Sequence, residues 1–214
     1  MTATVPLASG READVYAIDA DRVLRRYREG GDVRVEAEVM TYLRGQGYPV
    51  PEVFRADGPE LEMARLSGPT LTAAFVAGLV GLRSVARTLA ELHRRLHALP
   101  TRHSADPAVG ILHLDLHCDN VMLTADGPYV VDWRNTTEGP PELDRTTTAL
   151  IIAETAVDPD LPLAGPAGQL LGAFLAESGP PLLLDEAVAR RAASGMLDAD
   201  LLARAAALVV SAGR

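Results

Sequence analysis

The chain contains no lysine: all 20 of its basic residues are arginine. That excludes chemistry built on a lysine amine, including Schiff bases and the lysine of a P-loop. Cysteine is nearly missing as well. Cys118 stands alone, so an internal disulfide is excluded and a reducing, cytoplasmic setting is the default expectation. Positive charge is in deficit. A net charge of −9 over 214 residues argues against non-specific nucleic-acid binding, which needs clustered cations, and is mildly compatible with cationic substrates. Long apolar runs are also lacking. The longest, around Phe75 to Leu82 and Ala205 to Val210, are too short to span a bilayer. The first twenty residues show no basic start followed by an apolar run, so neither a signal peptide nor a membrane partner is expected. What remains, 48% hydrophobic and 23% charged, suits one compact unit or two small lobes.

The most informative segment is His113-Leu114-Asp115-Leu116-His117-Cys118-Asp119-Asn120, followed by Val131-Asp132-Trp133. Between them, Val121-Met122-Leu123-Thr124 and Tyr129-Val130-Val131 flank an Asp126-Gly127 turn signal, which predicts a hairpin. A hairpin returns the chain to its start, so Asn120 and Asp132 are expected side by side, with Asp115 just upstream. Two oxygen ligands and a free carboxylate in that pattern suit Mg²⁺ and phosphate chemistry.

Residues 4–28 alternate in strand fashion around Gly10 and the Asp19-Ala20-Asp21 turn. Residues 34–46 read as a helix with Val35, Val39 and Leu43 at four-residue spacing, stopped by Gly47. Asp57-Gly58 signals a further hairpin between Val53-Phe54-Arg55 and Leu61-Glu62-Met63. After Ser67-Gly68-Pro69 the character changes. A short helix is predicted over 70–77 and a strong one over 81–98, with Leu82, Val85, Ala86, Leu89, Leu92 and Leu96 on one face. From Leu143 onward the chain reads as helices separated by Pro159 to Pro166, Gly179-Pro180-Pro181 and Gly195. This predicts an α+β fold of two lobes, a strand-rich lobe over 1–66 and a mainly helical one over 67–214, with a ligand-binding cleft between them.

The motif segment resembles the catalytic and metal loops of the aminoglycoside phosphotransferase family, small-molecule kinases with a protein-kinase-like fold. Its Asp at +2 and Asn at +7 from the His also match the protein-kinase catalytic loop. Leu114 fills the place of the family's usual Gly, and Cys118-Asp119 that of its Pro-Gly pair. Further segments are similar. Leu7 to Tyr16, with Ser9 and Gly10, resembles the nucleotide loop; Val23-Leu24-Arg25 the strand carrying a phosphate-binding Lys; Glu36, with Glu38 as neighbouring candidate, the Glu that pairs with that Lys. Gly47-Tyr48-Pro49-Val50-Pro51, the hinge-like Met63-Ala64-Arg65-Leu66-Ser67-Gly68, Leu92-His93, and Asp144 as a downstream structural Asp complete the resemblance over most of 7–150.

The resemblance implies a phosphotransferase moving the γ-phosphate of ATP, or GTP, to a small-molecule hydroxyl. Asp115 would take or orient the hydroxyl proton. Asn120 and Asp132 would hold Mg²⁺. Backbone near Ser9 and Gly10 would cover the phosphates, Arg25 and Glu36 would form the phosphate-binding pair, and Met63 and Ala64 would lie against the base. The acceptor is open among aminoglycosides, sugars, amino alcohols and macrolides. Arg25 in place of Lys is the departure that matters, since a guanidinium is planar and bulkier. It leaves three outcomes: function, a shifted nucleotide preference, or a catalytically silent nucleotide-binding scaffold of the same fold. A protein kinase is disfavoured, because no Asp-Phe-Gly or Ala-Pro-Glu segment is present.

Simpler readings stand beside these. His113 is expected to pack and hydrogen-bond its loop, and His117 to face either the cleft or solvent. His93 and His97, spaced i, i+4 without a third ligand, fit helix packing better than a metal. Cys118 fits an inert small side chain. Glu138, Glu142 and Asp144 form either an acidic acceptor patch or a solvated loop with Asp144 capping the next helix. Oligomeric state is not readable.

Overall fold

The computed structural model describes residues 5–10, 12–193 and 198–214, so Arg11 of the nucleotide-like loop and the Gly195 break lie outside the described residues. The chain divides into two compact units, 1–69 with 122–134, and 70–121 with 135–214.

The first unit is built on an antiparallel sheet of β1 (Ala8–Ser9), β2 (Ala13–Ala17), β3 (Arg22–Tyr27), β4 (Val53–Asp57) and β5 (Glu60–Ala64), in the order β1-β2-β3-β5-β4. The turn residues expected from the sequence make its hairpins. Ala17 pairs with Val23 across the Asp19–Asp21 turn, and Asp57 pairs with Glu60 across Gly58, whose φ of 53° is costless without a Cβ. Strand alternation puts Val23, Arg25 and Tyr27 on the buried side of β3 and leaves Arg26 exposed.

Helix α1 (Arg34–Gly45) corrects one sequence expectation. Val35 is 67% exposed, and the buried stripe is Glu36, Ala37, Val39, Met40 and Leu43. Val39 and Leu43 face inward as expected, but at the start of the helix a carboxylate, Glu36, rather than the Val35 isopropyl group points inward. Apolar spacing alone cannot register that choice, because Glu36 breaks the hydrophobic pattern it belongs to.

The Asp126-Gly127 hairpin is present as β7 (Val121–Thr124) and β8 (Gly127–Val130), and residues 122–134 cluster with 1–69. The segment Tyr48-Pro49 anchors it. Val130 N–H donates to the Pro49 carbonyl at 2.8 Å, and Tyr48 meets the buried Trp133 edge-on at 5.6 Å. Gly68 and Pro69 add a second attachment, with Leu123 N–H donating to the Pro69 carbonyl at 2.8 Å.

The second unit is mainly helical: α2 (Leu71–Val76), α3 (Leu82–His97), α4 (Pro141–Val157), α5 (Ala164–Ser178), α6 (Leu184–Ala193) and α7 (Ala199–Ala212). Leu89, Leu92 and Leu96 of α3 are buried, as are Leu150 and Ala153 of α4 and Leu171 and Phe174 of α5. The strands β6 (Gly110–Leu112) and β9 (Thr137–Gly139) form a two-stranded antiparallel sheet that the sequence reading did not anticipate. At three residues each they fall below the length at which alternation can be recognised. No helix among the described residues is long and apolar enough to cross a membrane.

Gly68 sits at φ +142°, and a Cβ there would lie 1.9 Å from the Leu123 carbonyl oxygen. Gly68→Ala is therefore expected to lower stability by about 2–3 kcal/mol, read as a fall in the urea midpoint, because the hairpin must move off its anchor.

Candidate active site

Two constellations hold the residues singled out by the sequence, one in each unit. In the first unit, Arg25 is buried on β3 and donates two ways. Its Nη1 bonds Glu36 Oε1 at 3.0 Å and its Nη2 bonds Asp132 Oδ1 at 2.7 Å. Glu36 takes two more donors, the Tyr27 hydroxyl at 2.8 Å and the Trp133 backbone N–H at 3.2 Å. The Arg25 guanidinium also lies over the Tyr27 ring, 4.7 Å from its centroid. Glu38 is exposed, so Glu36 is the partner. A planar, forked cation suits this bridging role; a lysine has one nitrogen on which to converge.

The electrostatics follow from burial. Burial works against the charge of Arg25, but the carboxylates of Asp132 and Glu36 more than offset it and hold its pKa above the ordinary value. Burial pushes Glu36 up, against the opposing pull of Arg25 and Tyr27. Burial, together with the Glu36 charge, also raises Tyr27, so its phenol stays protonated and donates.

Asp132 stands at φ 68°, a left-handed conformation unusual for a residue with a Cβ. Its Oδ1 is held by Arg25 and its side chain is 35% exposed, which leaves Oδ2 for a cation. The nucleotide-like loop is less accommodating. Ser9 pairs with Asp14 in the sheet, and Gly10 N–H donates to the Ala13 carbonyl at 2.9 Å. The amide of Gly10 is thus engaged within its own turn. At the hinge-like segment, the Met63 side chain is buried and Ala64 N–H donates to the Glu52 carbonyl at 2.8 Å.

In the second unit, the chain leaves β6 directly into His113-Leu114-Asp115. Leu114 has φ 63°, the conformation that a Gly adopts freely and that costs other residues about 1–2 kcal/mol. The strain is held by Asp144 in the first turns of α4. Its carboxylate accepts the N–H groups of His113 at 3.0 Å and Leu114 at 2.6 Å, and His97 Nε2 at 2.9 Å. Asp144 is fully buried, which corrects both the solvated-loop and the helix-cap readings. Burial alone would raise its pKa, but the His97 bond and the neighbouring imidazoles hold it well below the carboxylate range.

Asp115 follows the strained residue. Its N–H donates to His113 Nδ1 at 3.2 Å, so His113 packs and bonds its loop as expected. Asn120 donates through Nδ2 to the Asp115 carbonyl at 2.9 Å and to its carboxylate at 3.4 Å. These bonds fix the amide, leaving the Asn120 carbonyl oxygen as the group able to face a cation. His117 caps the 3-10 turn Cys118–Asn120, accepting Asp119 N–H at 3.3 Å, and its Nε2 is 3.8 Å from Asp115 Oδ2. Burial, with the charge of Asp119, pushes the Cys118 thiol up to about 12, so it stays protonated at neutral pH.

One functional neighbour was missed by the sequence. Arg191 of α6 is bound side-on by the buried Glu154 of α4, with Nε to Oε1 at 2.9 Å, and its Nη1 lies 3.7 Å from Asp115 Oδ1. No motif marks it, since the two partners lie 37 residues apart and Arg is the chain's universal cation. The acidic acceptor patch is not assembled either. Glu138 accepts the N–H groups of Arg102, His103 and Ser104, and Glu142 pairs with Arg145.

An antiparallel five-stranded sheet bearing an Arg–Glu pair, joined to a helical unit that carries the His-x-Asp loop, defines a kinase-like fold. The chain belongs to the phosphotransferase enzyme family, whose sequence profile it matches over residues 3–107 and 98–177. By that membership it is a small-molecule kinase. Among solved structures it is similar to a ternary complex of APH(2'')-IIa with streptomycin and ATP, at 12% identity over 97% of this chain and 90% of that one, TM-score 0.61. It is similar to the aminoglycoside phosphotransferase APH(3'')-Id from Streptomyces rimosus, at 17% identity over 95% and 90%, TM-score 0.58. It is also similar to the amicoumacin kinase hAmiN in complex with AMP-PNP and Ca²⁺, at 13% identity over 98% and 87%, TM-score 0.53. No curated protein matches the sequence.

Two outcomes test these constellations. Arg25→Met leaves Glu36 buried without its counter-charge and is expected to cost about 3–5 kcal/mol in urea unfolding, a loss that adding Glu36→Gln partly restores. His93, buried on α3 with Nδ1 donating to the Leu89 carbonyl at 2.9 Å, has its pKa lowered from 6.5 to about 4 by burial. The unfolded chain therefore takes the proton first. Stability is full above pH 6.5 and declines as the pH falls toward 4. His93→Gln should flatten the dependence in that window by up to about 1.4 kcal/mol per pH unit.

Proposed function

We propose that this chain transfers the γ-phosphate of ATP, with GTP as the other candidate donor, to a hydroxyl group of a small molecule. The observation that carries the reading is the Arg25–Glu36 pair, a strand cation bonded at 3.0 Å to a helix carboxylate. Kinase catalysis requires such a pair between the third strand and the first helix of the nucleotide-binding part. Here a guanidinium supplies the charge, and Arg25 is the residue to hold phosphate oxygens.

The remaining roles divide by chemistry. Asp115 is the group to accept the acceptor's hydroxyl proton as that oxygen attacks the γ-phosphorus and the bond to the β-phosphate oxygen breaks. Its position is supported by Asn120 on one side and Arg191 on the other. Asn120 and Asp132 offer a carboxamide oxygen and a carboxylate oxygen, hard donors that suit Mg²⁺. Among the described residues no cluster of three or more His, Cys, Asp or Glu could hold a metal. The ion, when bound, neutralises charge on the phosphate oxygens. Met63 offers an apolar side chain to the base. Catalysis by this set is positioning and charge neutralisation. The solved neighbours captured with ATP or AMP-PNP support a nucleotide donor for this chain as well.

Mg²⁺–ATP or Mg²⁺–GTP is expected to raise the thermal midpoint, and Asp115→Asn to retain that shift. The same variant should lower acceptor-dependent nucleoside diphosphate release by about 10²–10⁴-fold. A midpoint unmoved by either nucleotide would overturn the reading, and full activity in Asp115→Asn would remove the proton-accepting role.

A further inference from the structure

A cavity of about 120 Å³ lies within the second unit, between α2, α3, α4 and α5, and the catalytic loop forms part of its wall. Phe75, Val85, Ile151, Ile152 and Leu170 are among the apolar residues that line it. From the loop come His117, Cys118 and Asp119. Because the imidazole of His117 is also 3.8 Å from the Asp115 carboxylate, the cavity and the proton-accepting group share a neighbour.

The charges around it are unlike those of a site for a polycation. Among the described residues Asp119 is the one charged side chain in the lining, and it already receives the Thr70 hydroxyl at 3.4 Å. Glu138, Glu142 and Asp144, the carboxylates that could have formed an acidic patch, are engaged by backbone N–H groups, Arg145 and His97 respectively. Beside Asp115 stands a cation, Arg191, at 3.7 Å. An acceptor with its hydroxyl at Asp115 and its remainder against this wall meets two carboxylates, Asp115 and Asp119, offset by the Arg191 guanidinium, which leaves at most one negative charge for a cationic group.

We infer that the acceptor is an alcohol bearing an apolar group that fills this cavity, with no more than one cationic group, so that the substrate class is an amphipathic alcohol rather than an aminoglycoside. The inference rests on the phosphotransfer reading above. The size is set by volume: an apolar cavity of about 150 Å³ takes a benzene molecule, so this one takes a branched or cyclic group of about four to six carbons. Each methylene moved from water into such a cavity improves binding by about fourfold.

The test uses the full chain with Mg²⁺–ATP and the linear alcohols from ethanol to 1-hexanol, with cyclohexylmethanol and streptomycin for comparison. Acceptor-dependent ADP release is expected to rise by about fourfold in kcat/KM per methylene until the cavity is full, and streptomycin to give no release above background. Ile151→Trp, which fills the cavity, should abolish the chain-length dependence while leaving the thermal shift with Mg²⁺–ATP intact. Thr155→Leu, a smaller change in the same wall, should weaken it if the tryptophan variant does not fold. Release that is flat with chain length, or streptomycin turned over in preference to the alcohols, overturns the inference. Binding separates this from failure of the kinase reading. Thermal shifts by the alcohols that grow with chain length and vanish in Ile151→Trp sustain the cavity even if no ADP forms; their absence, with Mg²⁺–ATP still bound, refutes it.

Discussion

The carboxylate of Asp144 is the constraint on which the His113–Asn120 loop depends. It is fully buried, yet it is held ionised by three donors drawn from two segments: His113 and Leu114 after β6, and His97 at the end of α3. A charge in such a place is tolerated only if its lone pairs are satisfied, and that requirement fixes the distance between the helices and the loop. It also supports the left-handed backbone at Leu114, immediately before Asp115. Satisfying a buried charge and placing the Asp115 carboxylate are thus one arrangement.

Arg25 performs the corresponding service in the first unit. One guanidinium links a strand, a helix and the Asp132 loop, and the Tyr27 hydroxyl completes the coordination of Glu36. The absence of lysine is accommodated rather than evaded. Arginine's fork lets a single cation bridge two carboxylates, where an ammonium presents one centre. The same residue type recurs at Asp115 through Arg191, anchored by Glu154. Both halves of the proposed chemistry use a carboxylate steadied by an arginine that is itself clamped by a second, buried carboxylate.

Much of this was legible in the chain. Asp19-Ala20-Asp21, Asp57-Gly58 and Asp126-Gly127 announce three hairpins because turn chemistry is local and few residues satisfy it. The choice of Arg25 over Arg26 and of Glu36 over Glu38 follows from strand alternation and family resemblance, and the structure pairs the two. Helix α1 shows the limit. Its apolar spacing names Val35 as inward-facing, whereas Val35 lies in solvent and Glu36 is buried, since an ion pair with Arg25 outweighs the placement of one isopropyl group. Gly10 shows another, because its amide is taken by Ala13 within a turn that composition does not reveal.

The sequence by itself determined the turns, the helices within residues 34–98, the His-x-Asp loop and the identity of the chemical groups, because each depends on residues close together in the chain. Only the tertiary structure decided that Arg191 stands beside Asp115, that Asp144 is a buried strut, that Glu138 and Glu142 are already engaged, and that the wall beside the loop is apolar. Apart from Glu142, whose partner Arg145 is three residues away, these are pairings across 30 or more residues, made by side chains that carry no mark of their partner until packing brings them together.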